Sequence, residues 1–99
     1  MEPIRFRRLA RTEVLGFHVP VATTPLSRLL GLALLSRERA ESGLLIPRCR
    51  SIHTFGMRFP LDVLFLDAEG RVIDLRRALP PRRFIRCANA MAALELPSA

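Results

Sequence analysis

Five side chains able to do polar or soft chemistry fall in one run, CRSIHTFGMRFPLDVLFLD from Cys49 to Asp67: Cys49, His53, Thr54, Met57 and Asp62. A nucleophilic site would pair Cys49 with His53, or Thr54 with His53 and Asp62. In either case the base has to reach the nucleophile and a third group has to orient the base. Successive side chains of a strand point to opposite faces, so His53 and Thr54 diverge. Cys49 and His53 would share a face yet stand more than about 10 Å apart by strand rise. On regular extended chain both pairings fail, and no catalytic residue is assigned. A hydrolase or thiol-dependent enzyme using Cys49, His53 and Asp62 stays as the alternative, and it requires the chain to bend there.

Metal binding would need Cys49, His53, Asp62 and Cys87 to converge as deprotonated ligands. A structural zinc site shows two close ligand pairs, and this chain has one pair plus a lone cysteine, so neither metal nor cofactor is expected. Asp62 follows Pro60-Leu61 and precedes an apolar run, where its carboxylate would accept backbone amides at a strand mouth. The functional alternative sets it beside His53 at a pocket rim, fixing the imidazole tautomer and holding a polar ligand. Candidate ligand-binding residues are then His53, Thr54, Met57, Arg58 and Asp62. His18, between Phe17 and Val19, reads as an exposed strand residue without a role.

Positioning these residues falls to short strands. Ile4–Leu9 alternates loosely, as do Val14, Leu15, Phe17 and Val19, which predicts a hairpin turning at Arg11, Thr12 and Glu13. Thr24-Pro25 is a helix start, a capping hydroxyl followed by a residue suited to the first helical position. The leucines at 26, 29, 30, 32 and 34 predict a helix with one face against a sheet, ending by Ser42-Gly43. Leu44–Ile46 is a short strand broken by Pro47, and Ser51–Phe55 resumes extended. Pro60 belongs at a strand start or edge. Val63–Leu66 and Val72–Leu75 across Asp67-Ala68-Glu69-Gly70 form a β-hairpin. Pro80-Pro81-Arg82-Arg83 is an exposed connection, and Ala92–Leu96 is a closing strand. Short strands with turn punctuation predict a mainly β fold, a single antiparallel sandwich or barrel-like domain over residues 1–99 with one packed helix; the alternative is α+β.

Composition bounds the partners. The formal charge is +7 and all sixteen basic residues are arginines. An Arg-only basic set beside abundant Ala, Leu and Pro is what a GC-rich coding bias produces by itself, and it fits a solvated arginine-rich surface better than a nucleic-acid footprint. Only six Phe and no Trp or Tyr are present, so base stacking has little to work with and no nucleic-acid partner is expected. Leu26–Ser36 is too short to span a bilayer, is interrupted by Arg28, and lies far from Met1. The expectation is a cytoplasmic chain with no membrane partner. Two cysteines make no disulfide framework and are expected as free thiols. Arginines 48, 50 and 58, and the later cluster 76, 77, 82, 83 and 86, could receive phosphate, carboxylate or anionic polysaccharide.

Taken together, Ala22-Thr23, Arg28 with Gly31-Leu32, Gly43-Leu44-Leu45-Ile46, SIHTFGMRFPLDVLFLD, Gly70-x-Val72 and the terminal LELP resemble a small prokaryotic family. It is the domain of unknown function 192, also called uncharacterised protein family 0127. The resemblance covers residues 14–97, with the PLD-x-x-F-x-D core its most specific part. Many members carry Trp-Met-Lys-Asn-Thr ahead of that core, where this chain has His53-Thr54-Phe55-Gly56-Met57. The resemblance implies a mainly β sandwich-like domain with a packed helix and no established activity. Members often continue past LELP, so an absent last strand would leave an open edge. The leading expectation is a non-enzymatic binding or interaction domain, with a polar pocket near His53 and Asp62 for a small anionic, polyhydroxyl or carbohydrate-like ligand. An Arg-mediated binder of anionic surfaces is the further alternative.

Overall fold

The computed structural model describes residues 2–99. After a 3-10 turn at Ile4–Phe6 come β1 (Arg11–Val14), β2 (Phe17–Pro20), α1 (Pro25–Leu30), β3 (Leu44–Pro47), β4 (Ser51–His53), β5 (Leu61–Leu66), β6 (Val72–Leu79), β7 (Phe84–Arg86) and β8 (Ala92–Pro97). The mainly β architecture is as the alternation predicts, in three antiparallel sheets without barrel closure: β1-β2, β3-β8-β5-β6 and β4-β7. No helix among the described residues is long and apolar enough to cross a membrane.

Two apolar clusters flank the four-stranded sheet. Leu44 and Ile46 of β3, Leu61, Val63 and Phe65 of β5 and Ala93 of β8 point into the larger one, with Phe6, Leu32 and Phe59. The opposite face carries Leu94 and Leu66, with Leu45, Leu64, Ala92 and Leu96 partly buried beside them, under Val19 of the β1-β2 hairpin. β8 therefore has both faces covered and a strand on each side. The expected closing strand is central, and the sheet's edge strands are β3 and β6.

Two local expectations are corrected, and one strand that the sequence does not mark is added. Ile4–Phe6 is a 3-10 turn and Arg11-Thr12-Glu13 is strand. The hairpin turns at Leu15-Gly16, whose φ values of 53° and 83° are the left-handed pair that a tight two-residue loop demands. The helix stops at Leu30, long before Ser42, and Leu26 and Leu29 face solvent while Ser27 is its buried residue. Its start is as expected, with a Thr24–Ser27 capping box that contributes on the order of 1 kcal/mol to so short an element. Finally, the exposed connection after Pro81 leads into β7, which pairs with β4 through Ser51↔Arg86, Ile52↔Ile85 and His53↔Phe84. The expected hairpin of Val63–Leu66 with Val72–Leu75 is present as β5-β6, with register shifts near both ends.

Thr54 locks the β4-β7 sheet to the loops around it. Fully buried, its hydroxyl donates to Pro80 O (2.7 Å) and accepts from Arg83 N–H (2.8 Å), while its own N–H donates to Arg83 O. Thr54→Val keeps the volume but leaves two part-buried backbone groups without their partner, at about 1 kcal/mol or more. Thr54→Ser keeps both bonds. Denaturant midpoints should fall clearly for the first variant and little for the second; a larger loss for Thr54→Ser than for Thr54→Val would show that the methyl, and not the hydroxyl, holds these loops.

Candidate ligand-binding groove

Helix α1 ends because of an acid from the opposite end of the chain. Glu95 lies in β8 between Leu44 and Val63, and strand alternation sends its side chain to the large apolar cluster. There Oε1 accepts the Leu32 N–H at 3.2 Å, an amide that a continuing helix would direct back to Arg28 O. The carboxylate lies so close beneath the backbone that a Cβ at position 31 would come within 2.5 Å of Oε1. Gly31 also has φ 54° and ψ −126°, a conformation for which glycine alone is suited.

Glu95 is fully buried, forms no ion pair among the described residues, and receives no other side-chain hydrogen bond there. Burial pushes its carboxyl up to about 7, against the opposing pulls of the Leu32 amide and the Arg5 charge. Arg5 itself anchors the same turn by donating to Gly31 O (2.8 Å) and Ala33 O (2.6 Å).

The carboxyl borders a recess of about 50 Å³ whose walls include Arg28, Leu29, Cys49, Ser51 and His53. That is room for a water or one small functional group. The recess adjoins a groove of about 550 Å³ lined by Thr23, Pro25, Arg48 and Arg50 and sharing Arg28, Leu29, Ile46, Cys49 and Ser51 with it. Arg28 stitches the groove walls together by donating to Pro47 O (2.5 Å) and Arg48 O (3.2 Å). Arg48 and Arg50 are exposed and form no ion pair among the described residues.

Cys49 and His53 both line this recess, with Cys49 outside β4 in the bend after Arg48, which has φ 49°. The Cys49 thiol donates to Ser51 O at 3.0 Å, and burial pushes it up from its ordinary value. Cys49 and Cys87 are both free thiols. Both ring nitrogens of His53 are engaged. Nε2 is 2.8 Å from Leu29 O and Nδ1 accepts Phe55 N–H at 3.2 Å, which selects the tautomer protonated on Nε2.

Asp62 is not part of this arrangement. Its Oδ1 accepts Ala78 N–H (2.8 Å) at the β5-β6 irregularity, where Ala78 has φ 52°. It borders a different cleft of about 480 Å³ with Phe17, Arg37 and Pro97. Backbone groups, rather than Asp62, fix the His53 ring. Thr54 and Met57 are buried and Arg58 is exposed, and none of the three lines the groove or recess. Among the described residues no cluster of three or more His, Cys, Asp or Glu could hold a metal ion.

Nothing in the sequence marks Glu95 as a site residue, and its titration gives a direct check on the geometry. From the ordinary value of 4.5 up to about 7, the unfolded chain ionises first while the folded chain keeps its proton, so stability falls as pH rises through that window and levels off above it. The fall attributable to this group is on the order of 3 kcal/mol. Glu95→Gln, which can still accept the Leu32 amide, should lack it. Urea denaturation of both proteins at pH 5 and pH 8 makes the comparison; identical pH slopes would mean that the carboxyl is hydrated.

Residues 8–99 match the family domain of unknown function 192, described as "Uncharacterized ACR". A UPF0127 protein of Thermococcus sibiricus is 34% identical over 83 residues, covering 80% of this chain and 54% of that protein. The chain thus spans about half the length of this curated relative. Two solved structures share the fold. One, a protein of unknown function from Novosphingobium aromaticivorans, has a TM-score of 0.67 at 22% identity over 84% of this chain and 64% of its own. The other, a "putative transcription regulator" from Sinorhizobium meliloti, has a TM-score of 0.71 at 23% identity over 89% of this chain and 78% of its own. With the match extending over nearly the whole sequence, the chain belongs to the domain of unknown function 192 family.

Proposed function

We propose that the protein is a small binding domain whose groove between α1, β3 and β4 takes a small anionic polyhydroxyl ligand. The observation that carries this reading is the buried Glu95 carboxyl at the foot of a groove edged by Arg48 and Arg50. The two ends of the site ask for different chemistry. Free guanidinium groups at the rim suit a carboxylate or phosphate, which they meet through charge-assisted, bidentate hydrogen bonds. A carboxyl group in a recess of about 50 Å³ suits one hydroxyl entering from the groove, with which it can exchange a hydrogen bond in either protonation state. Concave shape with a few convergent polar groups is the usual form of such sites.

A hydrolase or thiol-dependent enzyme using Cys49, His53 and Asp62 draws less support. A thiol held up by burial is a poor source of thiolate, the lone pair of His53 is taken by a backbone amide, and Asp62 borders another cleft.

The reading is tested by thermal shift with glucose 6-phosphate, gluconate and neutral glucose. The anionic compounds should raise the melting temperature in a concentration-dependent way, and glucose should do so much less. Arg48→Ala combined with Arg50→Ala should weaken the effect by about tenfold or more without lowering the ligand-free melting temperature. A flat response to all three compounds at millimolar concentration would sink the proposal.

A further inference from the structure

A second surface stands apart from the groove in its chemistry. Around His53 four large apolar side chains project into solvent: Leu29 is 65% exposed, Leu34 61%, Phe55 54% and Phe84 67%. They are neighbours in space. His53 faces Phe84 across the β4-β7 ladder, its ring lies 6.0 Å from that of Phe55, and its Nε2 meets the backbone of Leu29. Leu34 N–H donates to Gly56 O, next to Phe55. The hydrogen bonds of Thr54 to Pro80, Arg82 and Arg83 hold the two loops that carry Phe55 and Phe84. The apolar side chains are thus presented by a fixed scaffold.

The charge around them is of one sign. The segments that carry this face, residues 29–34, 51–58 and 80–86, contain no Asp or Glu. Arg58, Arg82, Arg83 and Arg86 are exposed on them, and none of the four forms an ion pair among the described residues. Arg86 shares with Phe84 the outer face of β7. The nine acids lie elsewhere along the chain, at residues 2–13, 38–41, 62–74 and 95.

We infer that this face docks on an anionic lipid surface, with Leu29, Leu34, Phe55 and Phe84 entering the headgroup boundary and the arginines contacting lipid phosphates. Apolar side chains set in an unopposed basic field are what interfacial binding requires. Spanning the bilayer is a separate matter that this mode does not involve. A single-stranded nucleic acid would use the arginines and the two phenylalanines, but it offers nothing to the two exposed leucines, which are half of the apolar set. The inference does not depend on the groove ligand.

The test is co-sedimentation of the full chain with vesicles of phosphatidylglycerol and phosphatidylcholine against phosphatidylcholine alone. Binding is expected on the anionic vesicles only, and it should weaken as salt is raised. Phe55→Ser and Phe84→Ser should each reduce partitioning about tenfold. Arg82→Gln and Arg83→Gln should each reduce it about fivefold. All four positions are exposed, and unchanged melting temperatures would confirm that the variants fold. No binding to anionic vesicles would overturn the inference, as would full binding by the phenylalanine variants. Binding of a single-stranded oligonucleotide with none to vesicles would overturn it and assign the face to nucleic acid.

Discussion

The hydrogen bond from the Leu32 amide to Glu95 connects the parts of this molecule that matter for a site. It ends the helix after six residues, forces Gly31 into a backbone conformation that lacks a Cβ, and fastens that turn to the middle strand of the main sheet. It also leaves a carboxyl group where an apolar side chain would otherwise complete the core. An ionised carboxylate so placed would normally need a partner cation. Here Arg5 is close enough to exert some pull but forms no ion pair with Glu95, donating instead to Gly31 and Ala33, and burial favours the protonated carboxyl. A residue kept at such cost to packing, beside a recess that opens toward arginines, is the strongest sign that this side of the fold does more than hold itself together.

Much of the architecture was legible because it depends on local period and turn chemistry. An apolar run and an alternating segment across a Gly-containing turn set the β5-β6 hairpin, Thr24-Pro25 marked the helix start, and the alternation of Leu94 and Leu96 about Glu95 marked β8. Glu95 was not legible for the opposite reason. A lone acid between two leucines reads as the wet side of a strand, and its burial follows only from β8 lying between β3 and β5 with both faces covered, which no local pattern encodes. The pairing of His53 with Asp62 failed on the same ground: closeness in sequence placed them together, yet one belongs to the β4-β7 sheet and the other to β5. Conversely, Cys49 and His53 line one recess because Cys49 lies outside the regular strand, in a bend that periodicity does not announce. The signal that was available was the type of residue 95, an acid in a segment otherwise made for burial.

The distribution of charge gives the molecule two unlike sides. Acids lie at Glu2 and Glu13, in the 38–41 turn and along the β5-β6 hairpin, where Asp67 accepts the Glu69 and Arg71 amides and pairs with the Arg71 side chain. The groove and the apolar face share the remaining side, meeting at Leu29 and His53. A long-range field of this shape orients an approaching anion before any contact forms. It gives the same approach direction to a small solute and to an extended negative surface, so the two readings of this side compete for space near Leu29 without contradicting one another.

The central place of β8 also bears on how the chain reaches this state. β3 and β5, the strands it joins, are both made earlier in synthesis, and neither pairs with the other. Until residues 92–97 have emerged from the ribosome, each keeps an unpaired edge, and the large apolar cluster lacks its floor. The pairing of Leu44 with Glu95 spans half of the sequence, the kind of distant closure that slows folding and leaves strand edges open to other chains meanwhile. Much of the nascent domain thus waits on β8, and the arrival of that strand, rather than growth of any local hairpin, sets the moment at which the main sheet can close.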